Sequence, residues 1–196
     1  MFELVYPSGL EVPVLGTLKT VRHGAEMLPV VEPSGLVVGK APRVSCHCPD
    51  MPAGQRPLHP VVHLHLIDRF GRIALQKRAE TKDLYPGLWD TAVGGHVDFG
   101  ESLQEALFRE AFEEIGLQGF TPYPLGVAVF ESDRERELVS SFAAIRSDLP
   151  EFHSDEVTDL RFWTQEEVDH AMGSGLLTPT FEWEYRRVRQ SLFALL

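Results

Sequence analysis

The stretch GHVDFGESLQEALFREAFEEIGL, residues 95–117, decides how this chain is read. It opens on a glycine turn and runs into a helix from about Ser102 to Ile115. Ser102 with Glu105 three residues on has the form of a capping box, and Gly116 is a good stop residue. Leu103, Ala106 and Leu107 form an apolar stripe that would fix the helix against a sheet. The other side is acidic. Glu110 stands three residues before Glu113 and four before Glu114, which brings the carboxylates onto neighbouring positions of one helical face.

Like charges at that spacing repel, so they need a reason. A solvated acidic face is one. A hard divalent cation is the other, since Mg²⁺ prefers carboxylate oxygen and retains waters or substrate phosphate oxygens. Arg109, four before Glu113, can hold that carboxylate in place. The order of residues favours the cation, because the segment resembles the Nudix box. That box asks for Gly, Glu, Arg-Glu, Glu-Glu and Gly at fixed intervals, and Gly95, Glu101, Arg109, Glu110, Glu113, Glu114 and Gly116 stand at those places. Seven such matches arise by chance about once in 10⁸ start positions at average residue usage. Leu117 and Ala111 fill the apolar positions, Ala111 being small where a bulkier residue is common.

The resemblance implies an α/β (α+β) fold, a mixed sheet sandwiched between helices. It implies that Glu110, Glu113 and Glu114 bind Mg²⁺ or Mn²⁺, with the Gly95 carbonyl as a further ligand. Glu101 would support the loop, and Arg109 would orient Glu113. Beyond the box, Arg78 to Lys82, then Tyr85 to Asp90, then Gly94-Gly95-His96 look like the branch that contains isopentenyl-diphosphate isomerases and related hydrolases. In that branch an Arg and a Lys grip a diphosphate, which makes Arg78 and Lys82 the candidates here. The likeness covers roughly residues 28 to 165.

Isomerisation needs an acid and a base, one of them a cysteine just before the Gly-His pair. Gly94 occupies that position, with Val93 before it, and neither transfers a proton. His59 and His96 stand where isomerase histidines contribute to a second metal site, though as residues they read as hydrogen-bonded polar groups. His63 and His65 alternate with apolar residues on an expected strand and read as face-lining. For hydrolysis, a cation lowers the pKa of a water and a carboxylate positions or deprotonates it. Glu113 or Glu114 can do this, as can a downstream acid: Glu131, Asp155 or Glu156. Trp89, Phe99 and Phe130 either stack on a base or pack in the core.

Working outward, residues 28–31 and 36–38 around Pro33-Ser34-Gly35 signal a β-hairpin, and residues 45–57 a loop. Residues 1–26 read as an irregular arm or loose hairpin. Strands are expected at 61–67, 73–77, 89–93, 126–130, 140–145 and 158–163, and helices at 165–172 and 181–195. The run from Glu131 to Glu137 reads as a solvated loop. The organisation is then an N-terminal extension, 1–57, and a Nudix-like domain, 58–196. The extension would either cover the site or build a homodimer interface.

The 196 residues, 43% hydrophobic and 24% charged, suit an ordinary globular protein. A net charge of −11 argues against duplex nucleic acid and leaves room for a small phosphorylated, nucleotide-like substrate bridged by a cation. Cys46 and Cys48, parted only by His47, make a poor disulfide and a poor half of a zinc site, so the chain reads as cytoplasmic. No apolar run is long enough to cross a bilayer. The expectation is a Mg²⁺-dependent hydrolase of a diphosphate bond in a nucleoside diphosphate derivative. The alternatives are an isopentenyl-diphosphate isomerase-like enzyme and a non-catalytic nucleotide-binding Nudix domain.

Overall fold

The computed structural model of the chain describes residues 2–8, 13–15, 26–48 and 50–196. Among the described residues it has nine strands and four α-helices in an α/β arrangement, as the resemblance implies. Strands β1 (Met27–Val31) and β2 (Val37–Pro42) form the expected hairpin, with Leu28 opposite Ala41 and Val30 opposite Gly39. Gly35 turns it at φ +86°, where a side chain would be strained. Most of the arm expected over 1–26 lies outside the described residues; within it, Val5 bridges Leu36 and Val14 bridges Lys40.

The larger sheet runs β5-β4-β3-β8-β7, with β6 on β3 and β9 on β4. Its strands are β3 (His59–Ile67), β4 (Ile73–Arg78), β5 (Trp89–Thr91), β6 (Val93–His96), β7 (Tyr123–Glu131), β8 (Arg136–Ile145) and β9 (Val157–Trp163). The turn between β3 and β4 is made by Asp68. Its Oδ1 accepts the Phe70 and Arg72 N–H groups at 2.9 Å each, and its Oδ2 takes the Arg72 guanidinium at 2.6 Å. The helices are α1 (Arg43–Cys46), α2 (Leu103–Ile115), α3 (Gln165–Ala171) and α4 (Pro179–Phe193). Thr164 with Glu167 closes a capping box on α3, and Thr178 caps α4 ahead of Pro179. No described helix is long and apolar enough to cross a membrane.

Three expectations need correction. The loop expected over 45–57 starts inside α1, whose last two residues are Ser45 and Cys46, and holds a 3-10 turn at Ala53–Gln55. The strand expected over 89–93 is two strands, and the glycine pair lies inside β6 rather than in a loop. The acidic run 131–137 is a tight β7–β8 hairpin. Ser132 N–H donates to the Glu135 carbonyl at 2.9 Å, Glu131 pairs with Arg136 at 3.3 Å, and Glu135 and Glu137 are buried.

The chain divides into two compact units. The first comprises Met1–Val62, Gly95–Ala106 and Val127–Ser140. Its apolar clusters are Leu28, Val30, Ala41 and Cys46, and Val31, Val37, Leu58 and Leu138. The second comprises His63–Gly94, Leu107–Gly126 and Ser141–Leu196. Ile67, Ile73, Leu75, Trp89, Trp163, Phe181 and Leu192 belong to its core, and each such fully buried aliphatic or aromatic side chain contributes about 1.5–3 kcal/mol.

Candidate active site

Helix α2 begins as the sequence dictates. Ser102 Oγ accepts the Glu105 N–H at 3.2 Å, and Glu105 accepts the Ser102 N–H at 2.9 Å. Leu103, Ala106, Leu107, Ala111 and Ile115 are all buried, so the small residue at 111 sits on the packed face. The three glutamates then differ in depth. Glu114 is buried, Glu110 is 15% exposed and Glu113 is 57% exposed. Arg109 Nη1 donates to Glu110 Oε1 at 2.8 Å and to Glu113 Oε2 at 3.2 Å, so one guanidinium orients both.

Glu114 Oε2 accepts two hydrogen bonds, from the Gly94 N–H at 2.9 Å and from Gln76 Nε2 at 3.0 Å. Burial pushes its carboxyl up to about 7, and the neighbouring Glu110 pushes the same way; the Gly94 N–H, Lys82 and Gln76 pull back. Glu110 is also raised, by burial first, with Glu113 and Glu156 adding to it against Arg109. Burial thus leaves the charged forms of Glu110 and Glu114 only partly compensated on one helical face. Such an oxygen donor set fits a hard divalent cation. Gln76 and the Gly94 N–H were not found from sequence, since neither carries a signal of its own.

The two candidate phosphate cations are occupied by internal partners. Arg78 Nη1 pairs with Asp90 Oδ2 at 3.3 Å, and its Nε donates to the Leu84 carbonyl at 3.1 Å. Lys82 Nζ pairs with Glu156 Oε2 at 2.5 Å. Of the downstream acids, Glu156 is the one beside Lys82 and coupled to Glu110. Glu131 pairs with Arg136, and Asp155 lines an open cleft. In the first unit, Glu101 Oε2 accepts the Asp98 N–H at 3.0 Å, which ties the loop ahead of α2, and Gly95 lies in β6.

A second cluster lies in the first unit. Ligating atoms of His47, His59 and His96 all fall within 4.8 Å of one another, and His47 Nε2 is 2.9 Å from His96 Nε2. The box carboxylates are not drawn together in this way among the described residues. His59 is fully buried. Its Nδ1 is 3.3 Å from the Pro57 carbonyl, which can only accept, so the proton is on Nδ1 and the Nε2 lone pair points inward. Among the described residues Nε2 has no hydrogen-bond partner, and Glu137 Oε1 lies 3.8 Å from it. Burial first, then His47, pushes this imidazole down to about 3. The reading of His59 as a hydrogen-bonded polar residue therefore describes only one of its nitrogens. His47, which the sequence offers only as part of a Cys46-His47-Cys48 half-site, meets His59 and His96 instead of a second cysteine pair.

His63 and His65 line one face of β3, as expected, and meet Glu184 of α4. His63 Nδ1 is 2.8 Å from Glu184 Oε2, His65 Nε2 is 3.1 Å from Oε1, and Ser141 Oγ donates to Oε1. The aromatic candidates pack. Trp89 and Phe130 are buried, Trp89 edge-on to Trp163, and Phe99 is half-buried edge-on to Tyr6.

Comparison with known proteins bears on this arrangement. Residues 57–184 match the family model of the NUDIX domain. The chain is 34% identical over 114 residues to an uncharacterized Nudix hydrolase, YfcD, of Salmonella typhi, covering 58% of this chain and 62% of that protein. It is 39% identical over 82 residues to an isopentenyl-diphosphate Delta-isomerase of Leifsonia xyli subsp. xyli, covering 42% of each. The matched part thus spans less than two thirds of these relatives. Among solved structures, DR0079 from Deinococcus radiodurans superposes with a TM-score of 0.70 at 24% identity, over 83% of this chain and 99% of that one. The NUDIX domain of Shewanella oneidensis NrtR, complexed with ADP ribose, gives 0.56 at 17% identity, over 71% and 91%.

Proposed function

Because this chain belongs to the NUDIX domain family, we propose that it is a divalent-metal-dependent pyrophosphohydrolase acting on a nucleoside diphosphate derivative. Residues 58–196 would form the catalytic domain and 1–57 an appended hairpin segment. The observation that carries the reading is the buried Glu114 carboxylate, braced by the Gly94 N–H and Gln76 and raised by burial and by Glu110. A Mg²⁺ or Mn²⁺ ion held by Glu110, Glu113 and Glu114 would neutralise the diphosphate and acidify a water. Arg109 orients Glu110 and Glu113, and Glu101 holds the approach to α2. Glu113 and Glu114 are the candidates for the carboxylate that positions the water, with Glu156 outside the box as the other. Arg78 and Lys82 take the diphosphate by exchanging Asp90 and Glu156 for phosphate oxygens. Both cysteines are free, which suits a reducing cytoplasm.

The test is a metal-dependent turnover screen over nucleoside di- and triphosphates, nucleotide sugars and dinucleotides. Phosphate or nucleoside monophosphate is the expected product. Glu114→Gln should lose about a hundredfold or more; a loss under tenfold counts against the assignment.

The histidine cluster favours a second feature, shared with the isomerase-like branch. We propose that His47, His59 and His96, with Glu137 nearby, hold a borderline cation such as Zn²⁺ or Co²⁺. Co²⁺ titration should give a d–d absorption that His59→Ala removes, and an unchanged spectrum would refute this. Isoprenoid interconversion in the same screen would favour isomerisation over hydrolysis, although position 94 carries no side chain to move a proton.

A further inference from the structure

Residues 152–158 border an open cleft of about 560 Å³, lined by Phe152, His153, Ser154, Asp155, Val157 and Thr158. That volume lies in the range of small-molecule sites and would hold a nucleoside. The segment is fixed to the end of β4 that carries the candidate phosphate cations. Val157 is the strand partner of Arg78, and Asp159 that of Lys77. Ala79 N–H donates to the Glu156 carbonyl at 2.8 Å, and Thr158 Oγ1 donates to the Lys77 carbonyl at 3.3 Å.

Glu156, in the middle of the segment, is not among the residues lining the cleft. Its carboxylate is on Lys82, and it lies close enough to Glu110 to raise that carboxyl. One short segment therefore joins the acidic helix and the phosphate cations to a cleft of nucleoside size.

The lining selects among occupants. Asp155 repels a phosphate, so the diphosphate belongs on Lys82 and Arg78 rather than in the cleft. A carboxylate does accept strongly from paired hydroxyls. His153 and Phe152 line it with planar rings, the kind of side chain on which a heterocycle stacks. A branched hydrocarbon chain finds little: Val157 is only 3% exposed, and four of the six lining residues are polar. Resting on the hydrolase reading above, we propose that this cleft is the subsite for the group attached to the diphosphate, that it takes a ribonucleoside rather than an isoprenyl chain, and that Asp155 and His153 determine the choice.

The test measures equilibrium binding by calorimetry, so its failure is separable from a failure of turnover. Probes are ADP, 2′,3′-dideoxy-ADP, isopentenyl diphosphate and inorganic pyrophosphate, each as the non-hydrolysable analogue with a methylene group bridging the two phosphorus atoms so that no turnover accompanies binding, each with Mg²⁺, against the full chain and against Asp155→Ala and His153→Ala. Wild type should bind ADP at least about tenfold more tightly than pyrophosphate, and Asp155→Ala should lose about tenfold for ADP. Neither variant should change pyrophosphate binding by more than about twofold, and dideoxy-ADP should be insensitive to Asp155→Ala. Both substitutions fall on exposed positions, and melting curves within about 2 °C of wild type will show that the fold is kept. The proposal is overturned if ADP binds no better than pyrophosphate, if both fall together, or if isopentenyl diphosphate binds most tightly and is the ligand lost.

Discussion

The Gly94 N–H donates to Glu114 Oε2 at 2.9 Å. A backbone donor on the neighbouring strand β6 thus fixes the rotamer of the most deeply buried acid of the box. Gln76 completes the same oxygen's shell from β4. A Cβ on Gly94 would lie 3.3 Å from the His63 ring, so a side chain there would have to push that ring aside. The glycine before Gly95 therefore lets β6 lie close against the His63 ring while its N–H serves the carboxylate.

In metal-free protein Glu114 should make stability fall as pH rises. Its folded pKa, about 7, lies above the ordinary 4.5. The protonated form is thus the one that favours the fold. Its contribution is fully present below pH 4.5 and is lost as pH passes about 7. The swing is about 3 kcal/mol. In chelator, wild type should melt lower at pH 8 than at pH 6, and Glu114→Gln should remove that slope. Equal slopes in the two proteins would show that Glu114 does not titrate this way. Mg²⁺ should restore more stability at pH 8 than at pH 6, since protons and the cation compete for the same oxygens.

Glu184 should behave in the opposite sense. Burial pushes its carboxyl up, but His63 and His65 outweigh it and hold it well below the usual carboxylate range. Its contribution is present above the ordinary carboxylate pKa and is lost as pH falls through the depressed one. Glu184→Ala leaves two imidazoles and the Ser141 hydroxyl facing a hole, and should cost about 3–5 kcal/mol in urea unfolding at neutral pH. A cost below about 1 kcal/mol would mean the network is not holding α4 to β3.

The contrast between these two acids bears on what the sequence could reveal. Glu114 was legible because it stands in a fixed-spacing motif. Glu184 had only a faint signal, an acid among Phe181, Tyr185, Val188 and Leu192 on the buried face of α4. That pattern says a charge is buried but not what meets it, because the partners come from β3 and β8, far away in sequence. The same limit applies to His47, His59 and His96, which three separate elements bring together. Local signals fared better: the β1–β2 turn, the Asp68 turn and the α2 cap all follow from residues within a few positions of one another. The acidic hairpin at 131–137 was misread because its charges suggested solvent, while Ser132 and the ladder of β7 and β8 decided the backbone.

Cys46 should be chemically silent in the native protein. Burial, then Glu26 and Glu137, pushes its thiol up to about 12, and it has no exposed surface. A disulfide-exchange reagent at pH 8 should titrate at most one thiol in the folded chain and both in urea, since thiolate and access are both required. Rapid native labelling of two thiols would contradict the packing of Cys46 against Leu28, Val30 and Ala41.

Gly116 ends α2 two residues after Glu114, and its replacement tests how far the position of the acids depends on that stop. Its φ is +65°, and a Cβ built there would lie 3.0 Å from the Glu151 carbonyl oxygen. Gly116 and Leu117 return their N–H groups to the Phe112 and Ala111 carbonyls, both at 2.9 Å, closing the last turn. Gly116→Ala therefore meets two costs at once, the left-handed backbone and a backbone neighbour that must shift. Together they should destabilise by about 1–2 kcal/mol. The last turn of α2 carries Glu113 and Glu114, so turnover with Mg²⁺ should fall along with the melting temperature. Gly116→Asn, a residue that tolerates this conformation better, should recover part of both. If Gly116→Ala melts like wild type, the helix has another way to end, and the box glycine is not what sets the carboxylates.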